Sequence, residues 1–308
     1  PYNGSVNFSI PLLQVGGRGS AGYTIRSTWN QTWTGTYSRI DNGMGGVYEF
    51  YEPTLSGLMA SPYSPGNLGA RPVNTGSNFC TTYGVDGADF PQVSLPRLTF
   101  WKPDGSQIEL RDQLTQGAPA SIPTCPSGSL NRGKIFTSSD GEAATFISDE
   151  DIYDYVPPAY MPDYFYNGIN GYLKWKDGTV YRIDMGSVTW IRDRNGNKVT
   201  FGYDNGAYTI TDSLNRQVRV ERNVTDPTYG LCDRIKYKGY GGADRTIWIT
   251  YGSMSGALRS GYSIQNLNVL FPFYNASNYA VNPDMITKIV LPNGKYYKFY
   301  YNSYMEVA

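Results

Sequence analysis

Between residues 98 and 302, short alternating apolar runs repeatedly stop at an Asp-Gly or Asn-Gly pair, and a second run follows. The pairs are Asp104-Gly105, Asp140-Gly141, Asp177-Gly178, Asn195-Gly196 and Asn293-Gly294. Two-residue hairpin turns need positive φ at their central positions, which Gly, Asn and Asp tolerate. In the stretch 172–223, residues 173–175 lead through Asp177-Gly178 into 179–183. Residues 188–191 lead through Asn195-Gly196 into 199–203, where Val199, Phe201 and Tyr203 share one face. Residues 208–211 and 217–221 flank Ser213-Leu214-Asn215-Arg216 as another hairpin. The device also joins 98–101 to 106–110, 134–136 to 144–147, and 286–291 to 295–302. No long window carries apolar residues at i, i+3, i+4 and i+7. The 35 Gly, 19 Pro and 28 Tyr favour short strands and turns over helices. The fold class is all-β and hairpin-rich.

Strand patterns at 6–10, 23–29 and 47–51 surround the turn cluster Gly16-Gly17-Arg18-Gly19. Residues 53–95 keep no period and read as a long irregular excursion, and 112–133 as a second. Loops of this length in compact domains are often functional or interfacial. We therefore divide the chain into an N-terminal β segment with its long loop, 1–95, and a sheet region, 96–308.

The absence of histidine removes Ser-His-Asp and Cys-His catalysis and most catalytic zinc sites. Charge is balanced at 26 basic and 26 acidic residues, which argues against a nucleic-acid partner. No apolar run approaches the length of a transmembrane helix. Cys80 and Cys125 lie in Gly/Pro/Ser-rich loops, where a disulfide would staple poorly packed chain; three free thiols is the alternative. With that pair formed, Cys232 is left odd, and a buried free thiol is the expectation for it.

Two clusters are candidate sites. Asp149, Asp151 and Asp154 offer oxygen ligands for a structural Ca²⁺, or form a solvated acidic loop. Tyr153, Tyr155, Tyr160, Tyr164 and Tyr166, between prolines, present flat faces with polar tips. These suit glycan stacking or a protein interface; alternatively they close a β-layer, half buried. Trp101, Trp175, Trp190 and Trp248 read as packing residues.

The segment 193–204, DRNGNKVTFGYD, resembles the YD-repeat (Rhs) family: it carries the Tyr-Asp pair that names the repeat, behind a turn Gly and an alternating strand. Asp212-Ser213-Leu214-Asn215-Arg216 resembles the family's D-x-x-G-R turn, with Asn215 for Gly. The resemblance covers about 95–308. The strand, Ile10-Pro11-Leu12, Gly-Arg-Gly, strand order of residues 5–35 is similar to the segment ahead of the repeats in bacterial members. Residues 226–231 resemble the family's D-P-x-G-L cleavage hallmark, but an extra residue intrudes and autoproteolysis is not carried over.

The resemblance implies a spiralling hairpin sheet, or partial β-shell, in a secreted or surface-exposed bacterial protein. The chain reads as a piece of a longer protein. The leading expectation is a non-enzymatic extracellular scaffold that self-associates edge to edge, through strands 6–10 and 295–301, into a filament or surface layer. One alternative is a cell-surface adhesin or glycan binder using the Tyr-rich loop and loop 53–95, since teneurin relatives act in adhesion. Another is one wall of a toxin-delivery shell. A glycoside hydrolase would need two placed carboxylates, and no motif marks a pair.

Overall fold

The computed structural model describes residues 8–29, 32–41, 47–56, 63–70, 79–81, 89–91, 95–118, 130–139, 141–154, 169–274 and 278–308. Its strands are β1 (Phe8–Gly16), β2 (Gly22–Trp29), β3 (Thr32–Asp41), β4 (Val47–Ser56), β5 (Asn67–Ala70), β6 (Phe79–Thr81), β7 (Asp89–Pro91), β8 (Arg97–Trp101), β9 (Gln107–Asp112), β10 (Asn131–Ser138), β11 (Ala144–Tyr153), β12 (Gly171–Trp175), β13 (Val180–Asp184) and β14 (Ser187–Arg192). They continue as β15 (Lys198–Asp204), β16 (Ala207–Thr211), β17 (Gln217–Asp226), β18 (Gly230–Lys238), β19 (Asp244–Ser253), β20 (Asp284–Val290) and β21 (Tyr296–Lys298). One four-residue helical turn, α1 (Leu267–Leu270), interrupts them. The all-β expectation holds.

The expected hairpins form, but the turn chemistry differs from the two-residue reading. At Gly105, Gly178, Gly196, Asn215 and Gly294 a three-residue loop is closed by a pair of backbone hydrogen bonds. In the second of these, Trp175 N–H donates to Thr179 O and Gly178 N–H to Trp175 O. The third loop residue alone is left-handed, with φ between 59° at Asn215 and 89° at Gly196. This is the G1-bulge loop, whose single αL residue explains why Asn215 serves where Gly stands elsewhere. True two-residue turns lie at Met185-Gly186 and Asn205-Gly206, with both residues at positive φ.

Fifteen strands form one antiparallel sheet, in the order β13-β12-β11-β10-β9-β8-β5-β14-β15 and then in sequence to β21. Because β13 also pairs with β14, eight strands close into a barrel, β5 and β8 to β14, and β15 to β21 run on from it. A closed barrel with a sheet attached replaces the open spiral or partial shell of the expectation. One edge of β14 is divided: Ser187 pairs with Asn67 of β5, and 190–192 pair with β15. β5 comes from the 53–95 excursion expected to be irregular, and it joins the large sheet by pairing with β8. Asn67-Leu68-Gly69-Ala70 has one large apolar residue and so carries no alternation of its own. The Trp101 indole lies over Gly69, where a Cβ would come within 2.6 Å of the ring.

Two cores result. The barrel interior holds Leu68, Leu98, Phe100, Leu110, Phe136, Phe146, Leu173 and Ile183. The second lies between the β1–β2 hairpin and strands β15 to β20, with Ile25, Trp29, Val220, Ile249 and Tyr301. Phe201 packs against both. Every second residue of β2 is buried, from Tyr23 to Trp29, so the hairpin lies face-on over the sheet. Its tip docks on two turns: Ser20 N–H donates to Asp193 Oδ2 (2.9 Å), Arg18 N–H to Ser213 Oγ (2.7 Å), and Arg216 Nη2 to Gly16 O (2.7 Å). The far strand β21 is three exposed residues beside Lys295, and the C-terminal Ala308 N–H already bonds Tyr300 O. Short, lysine-bearing edges resist strand addition.

At one barrel end Arg132, fully buried, forms a two-pronged pair with Asp154: Nε and Nη2 each lie 2.8 Å from a carboxylate oxygen. Asp154 also accepts from Leu95 N–H, and Asp112 accepts from Thr115 and Gly117. Removing one partner strands a buried charge. Asp154→Ala is expected to cost about 3–5 kcal/mol in urea unfolding. Gly186→Ala has a separate signature: φ is +77° and the new Cβ would lie 2.8 Å from Leu68 O. The left-handed backbone alone costs ~1–2 kcal/mol. Hydrogen exchange should quicken at the Leu68 amide, which donates to Gly186 O.

Candidate functional site

Connections in an antiparallel barrel alternate between its ends. The turns after β8, β10, β12 and β14 therefore share one mouth, opposite the Arg132 cluster. Strand β2 crosses this mouth. With the turns after β8, β10 and β12 it encloses a pocket of about 450 Å³, with a floor of Phe100, Trp175, Tyr181 and Ile191 and a roof of Tyr23, Thr24 and Arg26.

Three floor rings form a mutual cluster. Phe100 meets Trp175 at 6.3 Å and Tyr181 at 6.0 Å, both edge-on, and Trp175 meets Tyr181 at 5.8 Å. Such contacts lock rings in place and add ~0.5–1.5 kcal/mol per pair beyond burial. The Trp175 indole Nε1–H is buried without a hydrogen-bond partner among the described residues. A buried unpaired donor costs ~1–3 kcal/mol, and a ligand acceptor would remove that cost.

The rim is charged and balanced. Lys102 lies over the Trp175 ring at 5.6 Å and pairs with Glu142, 2.7 Å from Oε1. Burial works against the charge of Asp104, but the Ser106 hydroxyl and N–H outweigh it and hold the carboxyl below its ordinary range. The Thr179 N–H does the same for Asp177. These are the i+2 bonds that shape the turns, so the loops present ionised carboxylates as a by-product of folding. Burial, with the Asp177 charge adding to it, pushes the Tyr181 hydroxyl up to about 12. The Tyr23 hydroxyl, raised by burial, donates to the carbonyls of Tyr63 and Ser64. Tyr63 is anchored to the buried Asp233 (2.8 Å), which sets Pro65 at the pocket wall.

The arrangement suits a ligand with apolar faces and many hydroxyls. Flat rings meet C–H faces, carboxylates accept O–H bonds, and the indole N–H, Lys102 and Arg26 donate. Asp104 and Asp177 are held low, whereas a glycosidase general acid needs a raised carboxyl.

Of the residues expected from sequence, the described ones do not line this pocket. Tyr153 is exposed on β11; Tyr155, Tyr160, Tyr164 and Tyr166 fall outside the described residues. Asp149, Asp151 and Asp154 do not converge: Arg182 pairs with Asp149 (2.8 Å), Asn131 donates to Asp151 (3.0 Å), and Asp154 points inward to Arg132. Among the described residues no group of three acidic, Cys or His side chains is placed to hold a metal ion. Strand alternation explains this, because Asp154 lies on the buried side. Of the expected Cys80–Cys125 pair, Cys125 and the Cys80 side chain lie outside the described residues; Cys232 is buried and free.

Trp175 packs against Phe100 and Tyr181, as expected of it, and also lines the pocket. Its signal was present: Trp101-Lys-Pro-Asp-Gly and Trp175-Lys-Asp-Gly repeat one device, and turn parity sets both at one mouth. Comparison with protein-family models, with curated proteins and with solved structures finds no match.

Tyr181 makes the pocket readable by alkaline titration. An unfolded tyrosine ionises near 10, and the folded one near 12. Its contribution to stability is complete below pH 10 and is lost as pH rises through 12. At pH 11, relative to pH 8, the wild type should lose about 1.4 kcal/mol more than Tyr181→Phe in urea unfolding.

Proposed function

We propose that this chain is a non-enzymatic carbohydrate-binding module, carried on a YD-repeat-like β-scaffold and displayed outside the cell. The observation that carries the reading is the barrel mouth. Three packed rings, an unsatisfied buried indole N–H and a rim of ionised carboxylates and cations surround one open pocket. Barrel mouths are a common place for small-molecule sites, with few polar groups on an apolar floor. Asp104, Glu142 and Asp177 are exposed, so a sugar chain can enter from solvent. This reading shares its ligand class with the adhesin expectation and rests on the mouth residues, which are among those described.

Edge-to-edge assembly into a filament has less to support it. Eight strands use up their edges in the barrel, and the free edge at β21 is short and lysine-flanked.

The test is a glycan array, followed by titration calorimetry with the best oligosaccharide. Binding without turnover is expected, and Trp175→Ala should weaken it at least tenfold, a loss of ~1.4 kcal/mol or more. Undiminished affinity in that variant would move the site elsewhere; release of shorter sugars would make the chain an enzyme.

A further inference from the structure

The outer wall below this mouth carries a second surface. Directly paired residues of neighbouring strands point to the same face, so the register reads out rows across the barrel wall. One row runs Thr137, Thr145, Lys174, Val180, Arg192, Lys198 over β10 to β15. The row one pleat further from the mouth contains Tyr172, Arg182, Trp190 and Thr200. Their strand neighbours Phe146, Leu173, Ile183, Ile191 and Val199 are buried in the cores, which fixes both rows as outward.

The cations of the two rows differ. Arg182 is neutralised twice, by Asp149 and by Asp184. Lys174, Arg192 and Lys198 are exposed and form no ion pair among the described residues. Two of them are held in place by an aromatic ring: Lys198 Nζ lies 4.7 Å and the Arg192 guanidinium 5.3 Å from the centre of Trp190. Ordinary surface cations are free to swing. These are ordered by cation–π contact while their charge stays available. Strands lie ~4.8 Å apart, so Lys174 to Lys198 span about 14 Å. That is a strip a few sugar rings long, with two threonine hydroxyls continuing it.

We infer that this strip binds a carboxylate-bearing polysaccharide, with acidic groups over Lys174, Arg192 and Lys198 and sugar hydroxyls over Thr145 and Thr137. The charge complementarity is local, since the whole chain is neutral. Single-stranded nucleic acid fits less well: base stacking needs an open aromatic face, and Trp190 is occupied by two cations. The surface is separate from the pocket and stands or falls without it.

The experiment is retention of the full chain on immobilised polygalacturonate, against its carboxyl-reduced neutral form and against poly(dT), at low and moderate salt. Retention on the acidic sugar alone is expected. The Arg192→Glu/Lys198→Glu variant should lose it at least tenfold, Arg192→Lys/Lys198→Arg should keep most of it, and Trp175→Ala should leave it intact. Both reversed residues are exposed, and circular dichroism verifies folding; Arg192→Gln/Lys198→Gln gives the same readout with less perturbation. Equal retention on the neutral polymer or on poly(dT), or retention unchanged by charge reversal, overturns the assignment.

Discussion

The structure depends on one closure: the short strand β5 slots between β8 and β14. Leu68 N–H bonds Gly186 O at 2.7 Å, and Val188 N–H bonds Gly66 O at 3.2 Å. Without β5 the edge of β8 and the Ser187 end of β14 would stand open, and the seven strands β8 to β14 would be a curled sheet with exposed backbone. Closure removes those edges and gives the sheet an inside. Gly186 is needed there twice over, for its left-handed backbone and for the approach of Leu68 O.

Once the barrel closes, its two ends become different. One is sealed by buried charge, where Arg132 and Asp154 satisfy each other and tie down Leu95 and Thr115. The other stays open, because its turns are tight and carry their carboxylates outward. The β1–β2 hairpin then crosses that mouth. Gly17 and Gly19 let its tip sit on Ser213 and Asp193, where a Cβ would come within 2.2 and 2.1 Å of side-chain oxygens. Asp193 serves its own turn by accepting from Asn195 and Asn197, and the hairpin tip as well. These bonds, led by the Asn197 side chain, lower its carboxyl to about 2. One aspartate thus joins a local turn to a contact 173 residues away.

The same economy supplies the candidate binding groups. Asp104 and Asp177 are turn formers first, and their exposure at a mouth follows from their place in the barrel. Trp175 and Tyr181 are neighbours in the β12–β13 hairpin, so their packing is local. Phe100 reaches them only because β8 lies across the barrel. The outer rows arise similarly, from pairing register.

The sequence alone determined the local structure. Asp-Gly and Asn-Gly spacing marked the hairpins, alternation marked the strands, and the missing helical period excluded helical layers. Those signals are readable because turn and strand preferences act within a few residues. Tertiary structure decided which strands met at long range. Nothing local in Asn67-Leu68-Gly69-Ala70 marks it as the closing strand, since its pairing is dictated by Gly186 and Trp101 far along the chain. Nor could the sequence say that Asp154 faces an arginine while Asp149 and Asp151 face outward, or that Phe100 packs against Trp175 and Tyr181. Ring closure places residues with no sequence proximity around one mouth, and closure is a property of the whole sheet.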